Sequence, residues 1–179
     1  EGYGVSKKGI DFAHQTGVKL IIILDCGIKA IQEIEYAKSL GIDFIICDHH
    51  VPDDVMPPAV AILNPKRPDD PFPFKHLCGC GVGFKFMQAF AKNNNIPFSR
   101  LIPLLDFCAV SIAADIVPVV DENRILAFHG LKLLNTNPSI GLKSIIDICG
   151  LNGRELSMSD IVFKIGPASM LQAEWRTAS

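Results

Sequence analysis

Two apolar runs, Val18 to Leu24 and Ile42 to Cys47, each end on a carboxylate, Asp25 and Asp48. The first is broken only by Lys19, and a β-branched run of this kind is the pattern of a strand covered on both faces, as in a parallel sheet. Between the runs, Ile28, Ile31, Ile34, Ala37 and Leu40 recur at helical spacing, and Gly41 supplies a stop. Strand, helix and strand in this order read as a βαβ unit with two parallel neighbours. Asp25 and Asp48 are then expected roughly 5 Å apart at the carboxyl ends of adjacent strands. That edge is where open α/β sheets bind ligands.

The remaining pattern extends this α/β reading. Ser6 to about Thr16 is expected as a short helix with Ser6 as N-cap and Gly17 as its end. Ala59 to Leu63 reads as a third short strand. Asn64 to His76 carries four prolines and reads as loop. Gly79 opens a helix to about Lys92, with Val82, Phe86, Met87, Phe90 and Ala91 as its apolar side. Ser99 to about Ala114 is too hydrophobic all round to be a surface helix. Helices follow at Glu122 to Asn135 and Leu142 to Cys149, and Ser157 with Asp160 can cap one more through Ile165. The expected architecture is a parallel sheet of βαβ units flanked by helices, followed by a mostly helical C-terminal part. Residues 168–179 show no periodicity and are expected to be a non-native or disordered tail.

Composition narrows the class. A chain of 179 residues with 49% apolar and 20% charged residues has a globular core rather than disorder. The net charge of −2 carries no basic footprint, so nothing in it announces nucleic-acid binding. The six cysteines form no C-x-x-C pair and sit mostly in apolar runs, which reads as buried reduced thiols in a cytoplasmic protein. No segment has the roughly 18 uncharged apolar residues of a membrane span.

The chemistry candidates are Asp25, Asp48, His49, His50 and Asp115. Each acid ends or follows an apolar run, where an unpaired carboxylate costs several kcal/mol unless it is hydrogen-bonded, paired or metal-bound. Oxygen ligands with imidazoles suit Mn²⁺ or Mg²⁺, with Zn²⁺ or Fe²⁺ as alternatives. Structural readings stand beside these. Asp25 can cap the following helix, Asp48-His49-His50 can be a hydrated polar loop, and Asp115 can close a helix C-terminus. Lys66-Arg67 follows a strand-end loop and is a candidate phosphate contact. Gly79 and Gly81 lack the spacing of a nucleotide loop; they offer close helix packing or a backbone anion site.

Four stretches carry a family resemblance: Leu24-Asp25-Cys26-Gly27-Ile28, Ile46-Cys47-Asp48-His49-His50, Leu77 to Lys85, and Ala113-Ala-Asp115-Ile-Val-Pro118 followed by Asn123-Arg124. Together they resemble the DHH superfamily of phosphoesterases. Within it, they resemble the RecJ family of single-stranded-DNA-specific 5′→3′ exonucleases, which act in DNA repair and recombination. The resemblance covers about residues 1–167. It implies a two-metal Mn²⁺ or Mg²⁺ site with Asp25, His49 and Asp115 as ligands, Asp48 ligating or supporting, and His50 on the scissile phosphate. On this resemblance the family's first Asp-x-Asp motif and its strand are expected ahead of Glu1, and its second catalytic and DNA-gripping domains are expected outside this sequence. The expectation is therefore a partial DHH domain that meets DNA through a longer parent and has little activity alone. Alternatives are a DHH phosphoesterase acting on short oligoribonucleotides, cyclic dinucleotides or pyrophosphate, and a non-catalytic scaffold module. The sequence assigns no oligomeric state.

Overall fold

In the computed structural model residues 4–169 are described, and the chain divides between Phe86 and Met87 into two units. The first begins with helix α1 (Lys7–Gln15), where Ser6 Oγ accepts from Gly9 N–H as the N-cap. Strand β1 (Leu20–Leu24), helix α2 (Ile31–Ser39) and strand β2 (Asp43–Cys47) follow, then β3 (Ala61–Leu63). The three strands are parallel in the order β1-β2-β3, with Leu24 opposite Cys47 and Cys47 opposite Leu63. The βαβ expectation holds. Gly41, at φ 74°, turns the chain from α2 into β2.

The core of this unit joins Ile10 and Ala13 of α1, Ile34 and Ala37 of α2, and Ile42, Phe44 and Ile46, with Ile21 and Ile23 packed against them. Alternation along the strands puts Ile21, Ile23, Phe44 and Ile46 on one face. The opposite face of β1 differs from expectation: Leu20, Ile22 and Leu24 are each about half exposed, at 46–49%. A continuous apolar run therefore codes here for a strand packed closely on one side only among the described residues. α2 also begins three residues later than its periodicity suggests. The N–H of Ile28, a group that a helix start leaves without an intrahelical partner, donates to the Asp48 carboxylate.

Helix α3 (Gly79–Asn93) leads into the second unit. On α3, Val82 and Ala91 are buried as expected, Phe90 is exposed, and Phe84 is buried instead. The expected long helix from Ser99 is replaced by two 3₁₀ turns, Phe98–Arg100 and Ile102–Leu104, before α4 (Leu105–Ala114). Pro103 explains the change, because it lacks the N–H that an interior helical position needs. α5 (Asp121–Thr136), α6 (Ile140–Ile148) and α7 (Met158–Asp160) follow, and a π-turn (Ile161–Ile165) continues α7. Their core includes Ala109, Ala113, Leu134, Leu142, Ile146, Leu156, Ile161 and Ile165. Residues 166–169 are helical, so the expected tail begins inside a helix; its residues 170–179 lie outside the described residues.

Two polar devices brace this unit. Asp106 is fully buried, its carboxylate accepting from Phe107 N–H at 2.7 Å and Ser139 N–H at 2.8 Å. Ser157 and Asp160 form a reciprocal capping box, and Arg154 adds an ion pair to Asp160. The hydrogen bonds from Ser157, with Arg154 beside them, hold the Asp160 carboxyl far below the usual carboxylate range.

This packing can be probed at two points. Gly130 lets α5 lie against α4: a Cβ there would stand 2.1 Å from the Leu105 carbonyl oxygen and 2.7 Å from Ala109 Cβ. Gly130→Ala is expected to lower unfolding stability by about 1–3 kcal/mol in urea titration. Asp160 is charged at lower pH when folded than when unfolded. Its stabilisation is therefore present above the ordinary carboxylate pKa of about 4 and is lost as pH falls through the depressed folded-state value. Asp160→Asn should lose stability at pH 7, and its difference from wild type should shrink on acidification.

Candidate metal centre

Asp25 and Asp48 lie one residue beyond β1 and β2, where the sheet hydrogen bonding runs out. Asp25 N–H still donates to Cys47 O at 2.8 Å and Asp48 N–H to Leu63 O at 3.0 Å, so the three strand ends are tied side by side. The backbone then turns sharply. Asp25 takes φ 64°, a left-handed conformation uncommon for a residue with a Cβ, and Gly27 takes φ 102°. At Gly27 a Cβ would also stand 2.1 Å from Ile23 Cδ1, so the position admits only glycine.

Asp48 is 1% exposed, and both its oxygens are engaged by protein donors. Oδ2 accepts from Ile28 N–H at 2.9 Å. Oδ1 accepts from His49 N–H at 2.7 Å, His50 N–H at 3.1 Å and the His50 ring at Nδ1, 2.7 Å away. Burial pushes this carboxyl up, but the Ile28 N–H, the His50 ring and the two histidine N–H groups together outweigh it. The net shift is below the usual range. The same burial, with the Asp48 charge beside it, pushes the Cys47 thiol up to about 11. None of the six cysteines is in a disulfide, and Cys47, Cys78 and Cys108 are buried. Cys26, Cys80 and Cys149 are partly exposed, so burial covers half of the thiols expected inside.

The histidines divide the remaining work. His49 is buried, with Nδ1 3.2 Å from Leu77 O and Nε2 3.1 Å from Asp25 Oδ1. His50 is half exposed on Asp48. A carbonyl and a carboxylate can only accept, so both rings carry their proton on Nδ1, and a neutral ring offers its Nε2 lone pair. A ring N–H donated to a carbonyl or a carboxylate is how metal-binding imidazoles are held. At His49 the Nε2 faces the Asp25 carboxylate, an acceptor as well, so the two groups are joined either by a proton on Nε2 or by a cation held between nitrogen and oxygen. Asp25, His49 and His50 each bring one ligand atom to within 4.8 Å of the others. Oxygen and imidazole donors in that grouping fit a divalent ion such as Mn²⁺, and the fold places them at the ligand-binding edge of the sheet.

Asp115 is the C-cap of α4, in the second unit, and its carboxylate accepts from Ser111 Oγ at 3.1 Å. Nearby, Asn123 is buried and donates to Pro118 O at 3.0 Å, pinning the turn that follows Asp115. The Arg67 guanidinium is engaged within its own loop, paired through two nitrogens with Asp69 and donating to Ile62 O at 2.6 Å. Lys66 N–H donates to Asn64 Oδ1. Gly81 N–H donates to Cys78 Sγ at 3.2 Å, and Gly79 lies against the Asp25 side chain.

Sequence reasoning missed Asn64, which is 1% exposed and donates through Nδ2 to His50 O at 2.8 Å. Its Oδ1 bond to Lys66 N–H is an Asx turn, and an Asn-Pro pair after a strand is the signal that was available. It also missed the Leu77 carbonyl, which no sequence pattern announces.

A family profile described as the DHH family, N-terminal domain, matches residues 3–112. The single-stranded-DNA-specific exonuclease RecJ of Escherichia coli (strain K12) is 37% identical over 177 residues, 93% of this chain and 31% of that protein. The protein of the same name from Bacillus subtilis (strain 168) is 39% identical over 167 residues, 93% of this chain and 20% of that protein. The chain thus spans less than a third of the length of these curated relatives. A crystal structure of exonuclease RecJ bound to manganese superposes with a TM-score of 0.76 at 27% identity, covering 93% of this chain and 41% of the other. RecJ from Thermus thermophilus in complex with Mn²⁺ gives 0.74 at 26% identity, covering 93% and 25%.

The Asp48 network makes a direct prediction. Asp48→Asn keeps the shape but turns an NH₂ toward groups that are themselves donors. It should lower unfolding stability at pH 7 by about 2–3 kcal/mol, the scale of hydrogen bonds to a charged group, as read by denaturant titration.

Proposed function

The chain belongs to the DHH family, and on that premise we propose that it carries the metal-binding, phosphodiester-hydrolysing part of a RecJ-like 5′→3′ exonuclease for single-stranded DNA. The observation that carries the reading is the convergence of Asp25, His49 and His50 at the carboxyl edge of the sheet. It occurs in a chain whose relatives bear that exonuclease's name.

In this reading Asp25 and His49 hold a Mn²⁺ or Mg²⁺ ion, with His50 beside them. When bound, the ion offsets charge on the phosphate oxygens and acidifies water. The protein's own groups supply position. The Leu77 carbonyl fixes the His49 ring, and Asp48 fixes both the His50 ring and the backbone that carries the two histidines. The half-exposed His50, held by Asp48 through Nδ1, is the group that meets the scissile phosphate. Asp48, with its oxygens engaged by four donors, supports the ligands and does not join them. A share for Asp115 in metal binding rests on the sequence motif, as does the second metal of the parent enzyme. The reading brings single-stranded DNA as the partner and the cytoplasm as the place of action. No helix among the described residues is long and apolar enough to cross a membrane.

Calorimetric titration with Mn²⁺ tests the proposal. The wild-type chain is expected to bind the ion, and Asp25→Ala and His49→Ala should each weaken binding by at least about 100-fold while leaving the far-UV spectrum unchanged. In the parent polypeptide, the same changes should abolish release of mononucleotides from single-stranded DNA. A folded wild-type chain that binds no Mn²⁺ would refute the reading.

A further inference from the structure

The first turn of α3 packs where the metal ligands are. Leu77, two residues before the helix, offers its carbonyl to His49 Nδ1 at 3.2 Å. Gly79, the first helical residue, faces Asp25. A Cβ at Gly79 would stand 2.0 Å from Asp25 Oδ1, 2.3 Å from its Cγ and 2.5 Å from its Cβ. Real Cβ atoms do not approach others so closely. Rotating the Asp25 side chain would clear the oxygen but not the Asp25 Cβ, whose place is set by a backbone already at φ 64°. A side chain at position 79 must therefore move either the start of α3 or the backbone of Asp25.

We propose that Gly79 is a positioning residue for the metal centre: its missing side chain is the space in which the Asp25 carboxylate stands beside His49. The inference rests on the metal-binding reading above and adds to it a residue that touches neither metal nor substrate. It also changes the meaning of the glycine-rich stretch. At Gly79 the glycine serves close approach to a ligand side chain, and the neighbouring Gly81 N–H is already engaged by Cys78 Sγ. Leu77 and Gly79 thus set both members of the Asp25–His49 pair from one short segment.

Gly83 supplies the control. It lies one turn further along the same helix, and a Cβ there would stand 2.7 Å from Leu24 Cδ2. That atom is the far end of a half-exposed, flexible side chain that can swing aside. Gly79→Ala and Gly83→Ala therefore make the same chemical change in the same helix, and only the first presses on a ligand.

Mn²⁺ titration calorimetry on the 179-residue chain should show Gly79→Ala binding about 10- to 100-fold more weakly than wild type, the usual effect of disturbing the support of a metal ligand. Gly83→Ala should bind within about twofold of wild type. A second measurement works even if Gly79→Ala folds poorly. Asp25→Gly suits the left-handed backbone and removes the atoms that a methyl group at position 79 would strike. In that background Gly79→Ala should no longer lower the melting temperature, whereas with Asp25 present it should. Wild-type affinity in Gly79→Ala, or an equal loss of melting temperature in both backgrounds, would overturn the inference while leaving the metal site intact. A wild-type chain that binds no Mn²⁺ would instead remove the reading on which it rests.

Discussion

The Asp48 carboxylate is the interaction on which the rest of the first unit depends. It is an anion almost wholly out of water at the end of a central strand, a placement that costs several kcal/mol unless its lone pairs are met. Four donors meet them, and they come from two separate segments. Ile28 belongs to the loop after β1, while His49 and His50 follow β2. One charge therefore joins two strand ends and holds the His50 ring through Nδ1. The sheet register and the geometry of the site are in this sense a single constraint.

Satisfying Asp48 so fully also decides which groups are left for chemistry. Its oxygens face N–H groups, while Asp25, His49 and His50 each bring one possible ligand atom to within 4.8 Å of the others. Those groups are aimed by features without charge of their own: the Leu77 carbonyl, the Asn64 amide holding the His50 carbonyl, and the backbone space at Gly27 and Gly79. A centre of this kind is assembled from loops, yet each loop is tied at several points to the sheet or to α3. The Arg67–Asp69 pair and the Arg67 bond to Ile62 O do the same for the loop after β3. A basic residue after a strand end can thus be occupied by loop architecture.

The second unit follows a different principle. Its helices pack through a shared apolar core, with the Gly130 notch, the buried Asp106 and the Ser157–Asp160 box as the points where close approach or a polar tie is required. Asp115 closes α4 with its carboxylate on Ser111, and the next residue, Ile116, takes φ 52°. A β-branched residue in the left-handed region is costly, so the turn after Asp115 is held by its surroundings, including the Asn123 bond to Pro118 O.

Local patterning alone determined that β1, α2 and β2 form a parallel unit with Asp25 and Asp48 side by side, because periodicity and strand-end polarity are properties of a few neighbouring residues. It likewise determined the Ser6 cap and the Ser157–Asp160 box, whose partners lie three residues apart. Only the tertiary structure decided that Asp48 is met by four donors while Asp25 faces His49, and that β1 is closely packed on one face. It alone placed Asn64 and Leu77 behind the histidines and set Gly79 against the Asp25 side chain. Each of these depends on which donor, carbonyl or empty volume arrives from a segment distant in sequence, and neither residue type nor spacing encodes that arrival. The late start of α4 lies between the two cases: Pro103 was visible, but the apolar run around it masked the missing N–H.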